Sequence, residues 1–515
     1  MPNKYEMTWG RALVRSAARY PDKKAVQDQR GHYTYARFNS RVNRLAHGLE
    51  GVGLNRGARV AVLSNNCLEL MELYFACLKT GVVVCPLDSR LTVDDQTTLL
   101  QLVDPRAVAF HPDQSGRAQD LLASMPPETI RLVLGEEGPD GLIGTADLIG
   151  RSSEKEPEAD IKADDTAFIL FTGGTTGTPK GVDLTHLNLI WNAVNVIAEN
   201  GSPAPGARIC YPMQIYHSGA LSRFLATMFA GGTFIALPKF DPALYLDTLE
   251  EERSTFVVGN QAIWRMLLEE NSRRKRDASS VTSWLHAQGD ITPDFRDRIK
   301  NELFPRGEMY ASYALTEASP GVTVLKPWDQ PQNWPGIGRP YMSLEIKLAD
   351  EKDREVPVGE TGQILVRGPN VMKGYFRNPE ETKAALAGGW LHTGDLGRMD
   401  EQGFLYFVDR LKDVIKSGGL NVYAREVEDA IMTHPKVAEA AVIGVPHPKW
   451  GESVRAVVVP RPGVELTVQE VIGQCKEILA GYKKPTSVVF AADLPKDAFG
   501  SKVKKEILRS RYGQP

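Results

Sequence analysis

Several things are missing from this 515-residue chain, and each absence removes a class of protein. The five cysteines, Cys67, Cys77, Cys85, Cys210 and Cys475, form no C-x-x-C pair, and their number is odd. A disulfide scaffold is therefore not expected; free buried thiols in a reducing cytosol are. No His/Cys group has the spacing of a zinc site. The most apolar region, 73–87, is interrupted by Lys79-Thr80-Gly81 and falls short of the ~20 apolar residues that span a bilayer. The N-terminus lacks a charged-then-apolar signal pattern, so a cytoplasmic protein without membrane insertion is expected. A net charge of −3 offers nothing to a nucleic acid or an anionic membrane. No long repeat and no low-complexity tract occurs.

What is present is an ordinary globular composition, 42% hydrophobic and 24% charged, at a length suited to several domain-sized units. Through 1–160, segments of strand and helix character alternate. Strands are expected at 59–63, 82–87 and 107–110, and helices at 68–79 and 94–103, which favours parallel βαβ units. The Gly-, Pro- and acid-rich stretch 136–158 reads as a surface loop. Alternation resumes over 185–310, with helices at 186–199, 242–252 and 262–270 and strands at 233–237 and 256–258. The basic run 273–276 ends a helix and reads as a solvated face. From about 330, short strands at 344–348, 362–366 and 403–408 suggest antiparallel structure. Beyond Arg410 a small α+β unit is expected, with helices at 427–432, 468–479 and 503–509 and strands at 438–445, 454–459 and 487–491.

The chemistry centres on Phe171-Thr172-Gly173-Gly174-Thr175-Thr176-Gly177-Thr178-Pro179-Lys180-Gly181. A buried strand, 167–171, breaks into four glycines, four threonines and one lysine. Glycines let backbone N–H groups approach an anion, hydroxyls add donors, and the lysine adds a mobile charge, a combination suited to a polyphosphate. A P-loop places Gly before the Lys and a metal-binding Ser/Thr after it. Here Pro179 and Gly181 take those places, so a metal ligand must come from elsewhere. In Tyr310-Ala311-Ser312-Tyr313-Ala314-Leu315-Thr316-Glu317, Thr316 and Glu317 can offer a hydroxyl to phosphate and a carboxylate to Mg²⁺, or simply start a helix. Asp395, after a short strand and Gly394, can accept ribose hydroxyls or form a turn. Asp409 to Gly419 is a charged link, either a hinge or a plain linker. His217 lies among apolar residues and reads alone as a core histidine. The lysines of Gly500-Ser501-Lys502-Val503-Lys504-Lys505 can reach a transferring phosphate or form a solvated tail.

Taken together and in this order, these segments resemble the adenylate-forming superfamily of acyl- and aryl-CoA synthetases, carrier-protein adenylation domains and luciferases, over about 12–508. The resemblance implies an α/β fold. A large N-terminal domain, 1–410, would hold doubly wound sheets and a small β-barrel subdomain, and a mobile α+β domain, 411–515, would rotate about a hinge at Lys412. It implies that ATP is held by Thr172, Gly173, Gly174, Thr175, Thr176, Gly177 and Lys180, with Thr316 on phosphate and Glu317 on Mg²⁺. Gln288, Gly289, Asp290, Ser312, Tyr313 and Ala314 would flank nucleotide and acyl group. Asp395 and Arg410 would grip ribose, with Phe407 beside them, and Lys416, Gly418 and Gly419 would serve the coenzyme A side. His217, Gly219, Gln288 and Ala314 would line the acyl pocket.

The implied reaction is that of an AMP-forming acyl-CoA synthetase, with ATP, Mg²⁺ and coenzyme A and a small carboxylic acid, aryl or short- to medium-chain, in fatty or aromatic acid metabolism. Alternatives are an enzyme loading a carrier protein, a luciferase-type relative, or a catalytically weak module that binds acyl-AMP or coenzyme A. The absence of a carrier domain after Pro515 favours the synthetase, and a homodimer stays open. The chain departs from the family pattern at Gly173 (usually Ser), Ala314 (Gly), Ala424 (Pro), 287–290 (Gly-Gly-Ala) and Asn260-Gln261 (Pro-Thr). Counted from Pro495, the family's essential C-terminal lysine falls on Ser501. A one-residue insertion restores Lys502, and Val503 and Leu508 then keep their spacing.

Overall fold

The computed structural model describes residues 6–136, 138, 141–173, 179–201, 204–287, 291–496 and 503–514, apart from the side chain of Pro331. Two compact units emerge. The first comprises residues up to Trp334 with Gly338–Glu345 and Val366–Leu391; the second comprises Pro335–Ile337, Ile346–Leu365 and His392 onward. Residues 346–365 and 392–410 thus group with the C-terminal segment, on the other side of the boundary at 410 expected from sequence.

Unit one holds two sheets. In the eight-stranded sheet, Arg59–Leu63 pairs in parallel with Val83–Pro86 on one side and Ala107–Phe110 on the other. In the nine-stranded sheet, Arg208–Tyr211 pairs in parallel with Thr233–Ala236 on one side and Phe256–Gly259 on the other. Each central strand is a point where strand order reverses, and in open α/β sheets ligands bind beyond the carboxyl ends of strands at such points. Antiparallel strands close the edges: Gly31–Thr34 and Gly321–Leu325 in one sheet, the hairpin of Thr166–Thr172 with Lys180–Thr185 in the other. The strands near the sheet centres are apolar along their whole length, as Val83–Pro86 and Phe256–Gly259 show, because parallel strands are covered on both faces.

The two reversal points meet. Asn66, 2% exposed and just past Arg59–Leu63, donates to the Met213 carbonyl and accepts from the Ile215 amide, while its own amide donates to Gln214. One buried asparagine therefore ties the carboxyl ends of both sheets together, and residues 213–219 are held between them.

Most expected helices and strands appear within one or two residues. One loop assignment is overturned. The stretch expected as loop, 136–158, contains a short strand, Ile143–Gly144, and a helix, Thr145–Arg151, which buries Leu148 and Ile149. Gly48, in the helix Tyr35–Gly51, gives Leu148 its space: a Cβ there would stand 2.6 Å from Leu148 Cβ. The basic run is not wholly solvated either. Arg276 keeps its side chain 3% exposed between Asp247 and Glu270.

All five cysteines are free and buried. Sequence spacing offered no metal cluster, yet Cys67, Glu69 and His111 converge, their ligand atoms within 4.8 Å. Glu69 is already paired with Arg30, and burial pushes the Cys67 thiol up to about 12, a poor setting for a divalent cation. Among the described residues no helix is long and apolar enough to cross a membrane.

A buried histidine makes the fold acid-labile. His186 is fully buried and its Nδ1 accepts the Trp9 amide at 3.2 Å. Burial lowers its pKa to about 4. The folded protein thus refuses a proton that the unfolded chain binds below ~6.5. Stability falls as pH drops from there and levels off below about 4, by up to ~3 kcal/mol. His186→Gln is expected to lose less stability than the parent between pH 7 and 5, by roughly 2 kcal/mol in urea titrations. Parallel curves would contradict this.

A four-stranded sheet in the order Glu345–Ala349, Thr361–Arg367, Leu391–Met399, Leu405–Arg410 lies mostly in unit two. A five-stranded sheet follows, built on the long antiparallel pair Val437–His447 and Gly451–Pro460 and covered by Ala424–Met432 and Val468–Ile478. Ala424, where the family has Pro, is the first residue of its helix and fully buried.

Candidate active site

The glycine-threonine segment connects two antiparallel strands, with Thr172 opposite Lys180. This differs from a P-loop, which runs from strand into helix. Lys180 opens a strand, Lys180–Thr185, and the next helix begins only at His186. Gly174, Thr175, Thr176 and Gly177 lie outside the described residues. Gly173 is described and faces open space: a Cβ added there would meet nothing within 4 Å. Space does not compel the loss of the family's serine.

Lys180 is 11% exposed, its ammonium 2.6 Å from Glu381 and 4.8 Å from the centre of the Tyr375 ring. Tyr375 is placed by the strand Gly374–Tyr375, which pairs with Val182 and Asp183 of the hairpin. Its hydroxyl donates to Glu317 Oε1 at 3.1 Å. Burial, and then the Glu317 carboxylate, raise the Tyr375 phenol far above its ordinary value, so it stays a donor. Glu381 lies in the first turn of Pro379–Ala385, where an acid suits the helix dipole. Glu381, Lys180, Tyr375 and Glu317 thus form one connected set, although 64 residues separate Glu317 from Glu381 and 137 separate it from Lys180.

The strand Glu308–Ala314 ends immediately before this set, with Ala287 beside Ser312 in parallel register. Ser312 and Tyr313 are half-buried and Ala314 is exposed. Gln288, Gly289 and Asp290 lie outside the described residues. Thr316 and Glu317 form a single 3₁₀ turn, Thr316–Ala318, in which Thr316 caps no helix. Instead its hydroxyl lies 3.1 Å from that of Ser218, the first residue of the helix Ser218–Ala230.

His217, directly before that helix, is not a core residue. Its side chain is 24% exposed, with Nε2 2.9 Å from the Arg90 guanidinium and 3.9 Å from Asp88. Arg90 donates to both Asp88 oxygens. Burial would raise the Asp88 carboxyl, but the Arg90 hydrogen bonds outweigh it and hold it below the usual carboxylate range. Gly219 follows, and a Cβ there would meet only the Tyr211 hydroxyl, at 3.4 Å.

Unit two has its own constellation. Asp395 and Arg410 stand opposite each other on paired strands, Arg410 Nε 3.7 Å from the carboxylate. Phe407, on the same strand as Arg410, packs under the Arg425 guanidinium at 5.0 Å. Lys412 is exposed within a 3₁₀ turn, Leu411–Asp413, that Arg509 ties down through Asp413. Lys416 is exposed, beside Glu351. Gly418 and Gly419 make the two-residue turn between Ile415–Ser417 and Leu420–Val422, with φ of 60° and 82°. Two consecutive positive φ values are a hairpin demand that glycine meets without strain. The Gly418 amide donates to the Trp450 carbonyl, and the Trp450 ring is exposed and stacked on His447 at 4.3 Å. Lys502 and Ser501 lie outside the described residues.

Sequence reading missed Asn66, Asp88, Arg90, Ser218, Tyr375 and Glu381. The Asp88-x-Arg90 pair after a strand was the one local signal; the others have meaning only in three dimensions.

The chain is similar to known proteins along nearly its whole length. The family model of the AMP-binding enzyme matches residues 13–376, and that of the AMP-binding enzyme C-terminal domain matches 426–500. Feruloyl-CoA synthase from Amycolatopsis sp is 36% identical over 502 residues, covering 97% of this chain and 98% of its own. Indoleacetate–CoA ligase from Aromatoleum aromaticum is 34% identical over 507 residues, 96% of each chain. ATP-bound MatB from Rhodopseudomonas palustris superposes with a TM-score of 0.87 at 32% identity, covering 98% of this chain and 99% of that one. With two family models matched in order and relatives aligned end to end, the chain belongs to the AMP-binding enzyme family.

Proposed function

We propose that the chain is an AMP-forming acyl-CoA synthetase whose acid is aryl or of short to medium length. The Ser218–Thr316 contact carries this reading. It joins the segment bordering the acyl pocket, His217 to Gly219, to the Thr316–Glu317 turn, which Tyr375 links to Lys180. A carboxylate and a nucleotide phosphate would then meet at one place, as an acyl-adenylate requires.

In this reading a carboxylate oxygen attacks the α-phosphorus of ATP and the bond to pyrophosphate breaks. Lys180 and the Thr172–Gly177 segment bind phosphate oxygens, with Thr316 donating a hydroxyl. Glu317 and the neighbouring Thr316 hydroxyl are the hard oxygen donors that Mg²⁺ prefers, and the ion would supply charge neutralisation on the phosphates. Lys502 would stabilise the charge that grows during transfer. Asp395 and Arg410 hold the ribose. A thiolate then attacks the acyl carbonyl and AMP leaves. Two half-reactions with different nucleophiles explain a hinge at Lys412 and a separate surface, Lys416, Gly418, Gly419 and the Trp450 face, for coenzyme A.

The relatives named for ferulate and indoleacetate support an aryl acid. The test is AMP release with ATP, Mg²⁺, coenzyme A and a panel of aryl, short-, medium- and long-chain acids. Thioester with an aryl or shorter acid is expected. Hydroxamate trapping without thioester would point to a carrier-protein thiol, and no AMP with any acid would sink the reading.

A further inference from the structure

The helix Ser218–Ala230 carries a charge that the reaction described above does not use. Arg223 is 3% exposed, and its guanidinium carbon stands 4.7 Å from the centre of the Phe256 ring. Its Nη1 is buried without a hydrogen-bond partner, and no carboxylate pairs with it among the described residues. The titratable groups that act on it are two buried, neutral phenols, Tyr211 and Tyr341. Buried arginines are ordinarily paired, because guanidinium remains protonated and desolvation of an unpaired cation is costly. Phe256 and the phenols lower that cost without cancelling it. A cationic donor set is therefore held ready inside the protein.

Its position says for what. Arg223 follows Gly219 by four residues, so the two share one face of the helix, a turn apart, at ~6 Å along the axis. Gly219 bares that face: the nearest atom to its missing side chain is the Tyr211 hydroxyl. The helix starts at Ser218, in contact with Thr316, and Arg223 lies one turn beyond Gly219, with its guanidinium over Phe256. An acid with its reacting carboxylate at the Ser218–Thr316 end would run past Gly219 toward Arg223. One aromatic ring or a short methylene chain spans that length.

We propose that Arg223 determines the specificity of the acyl pocket, and that the natural acid bears a second, distal carboxylate which pairs with its guanidinium. The proposal deepens the ligase reading and rests on it. Phe256 provides an apolar wall and Tyr211 a phenolic donor for a flat or short spacer between the two carboxylates, while the Tyr341 hydroxyl is already donated to Asn200.

The test compares matched acids: adipate with hexanoate, and 1,4-phenylenediacetate with phenylacetate. AMP release by the parent is expected to favour the doubly charged member of at least one pair by 30-fold or more in kcat/KM. Arg223→Met should lower that preferred activity by about 10²-fold, mainly through KM, and leave the monocarboxylate unchanged or improved. Arg223→Lys should recover part of the preference. The melting temperature of Arg223→Met should not fall, since an unpaired buried charge is removed. The proposal is overturned if the parent prefers the monocarboxylate in both pairs, or if Arg223→Met lowers both members of a pair equally. If no acid yields AMP, the ligase reading fails, and calorimetric titration of the dicarboxylates into parent and Arg223→Met decides the Arg223 site by itself: equal or absent binding overturns it.

Discussion

Lys502→Ala is expected to slow acyl-adenylate formation by about 10²–10³-fold while leaving thioester formation from preformed adenylate nearly intact. Two neighbouring lysines are otherwise engaged. Lys496 is 2.6 Å from Glu439, and Lys505 is held 2.7 Å from Glu428 with its side chain 12% exposed. Lys504 precedes the helix Lys505–Tyr512, its amide bonded to the Pro495 carbonyl. Lys496 and Val503, on either side of 497–502, form an antiparallel bridge. One residue added between two fixed chain ends has a small entropic cost, so it need not disturb the helix Lys505–Tyr512. That is the physical basis for choosing Lys502 over Ser501. ATP–pyrophosphate exchange measures the first half-reaction alone. Near-parent exchange in Lys502→Ala would show that the insertion does not restore the lysine, and Lys504→Ala, expected to be mild, controls for general loss of positive charge.

Glu317→Gln is the second large effect, about 10²-fold or more in kcat with a raised Mg²⁺ requirement. The substitution keeps volume and the acceptor oxygen facing Tyr375, so packing survives. What changes is the charge, and a neutral amide is a weak Mg²⁺ ligand beside polyphosphate. Because activity alone cannot separate metal binding from other faults, the second readout is Mn²⁺ affinity in the presence of ATP, expected to weaken at least tenfold. Tyr375→Phe, which removes only the hydroxyl donor, should show the same direction at a fraction of the size. Unaltered metal dependence in Glu317→Gln would remove Glu317 from the metal.

Local pattern carried much of the fold. The strand Arg59–Leu63, the helix His186–Glu199 and the strand Ala107–Phe110 appear with the bounds expected, because each is a periodic apolar run closed by a cap, a glycine or a proline. Thr185 caps its helix through a capping box, a signal wholly contained in four residues. The stretch 136–158 failed for the opposite reason. Its glycines and acids outvote Leu148 and Ile149, and the helix there is justified by a distant surface, where Gly48 leaves room for Leu148. His217 also misled: an aromatic and apolar neighbourhood suggests a core, but Asp88 and Arg90, over a hundred residues earlier, make it part of a polar cluster.

Sequence alone determined the glycine-threonine segment, the Thr316–Glu317 pair, the Asp395 and Arg410 candidates and the order in which they occur, since each is a short string whose chemistry depends on near neighbours. Tertiary structure alone decided that the glycine-threonine segment connects the strands of a hairpin, that Tyr375 and Glu381 connect Lys180 to Glu317, that Asn66 joins two sheet ends, and that Arg223 is buried with no paired carboxylate among the described residues. Those facts depend on long-range strand order and on burial. Neither is encoded in any window of residues, because a charge reads the same in a string whether the fold leaves it in water or buries it against a phenylalanine ring.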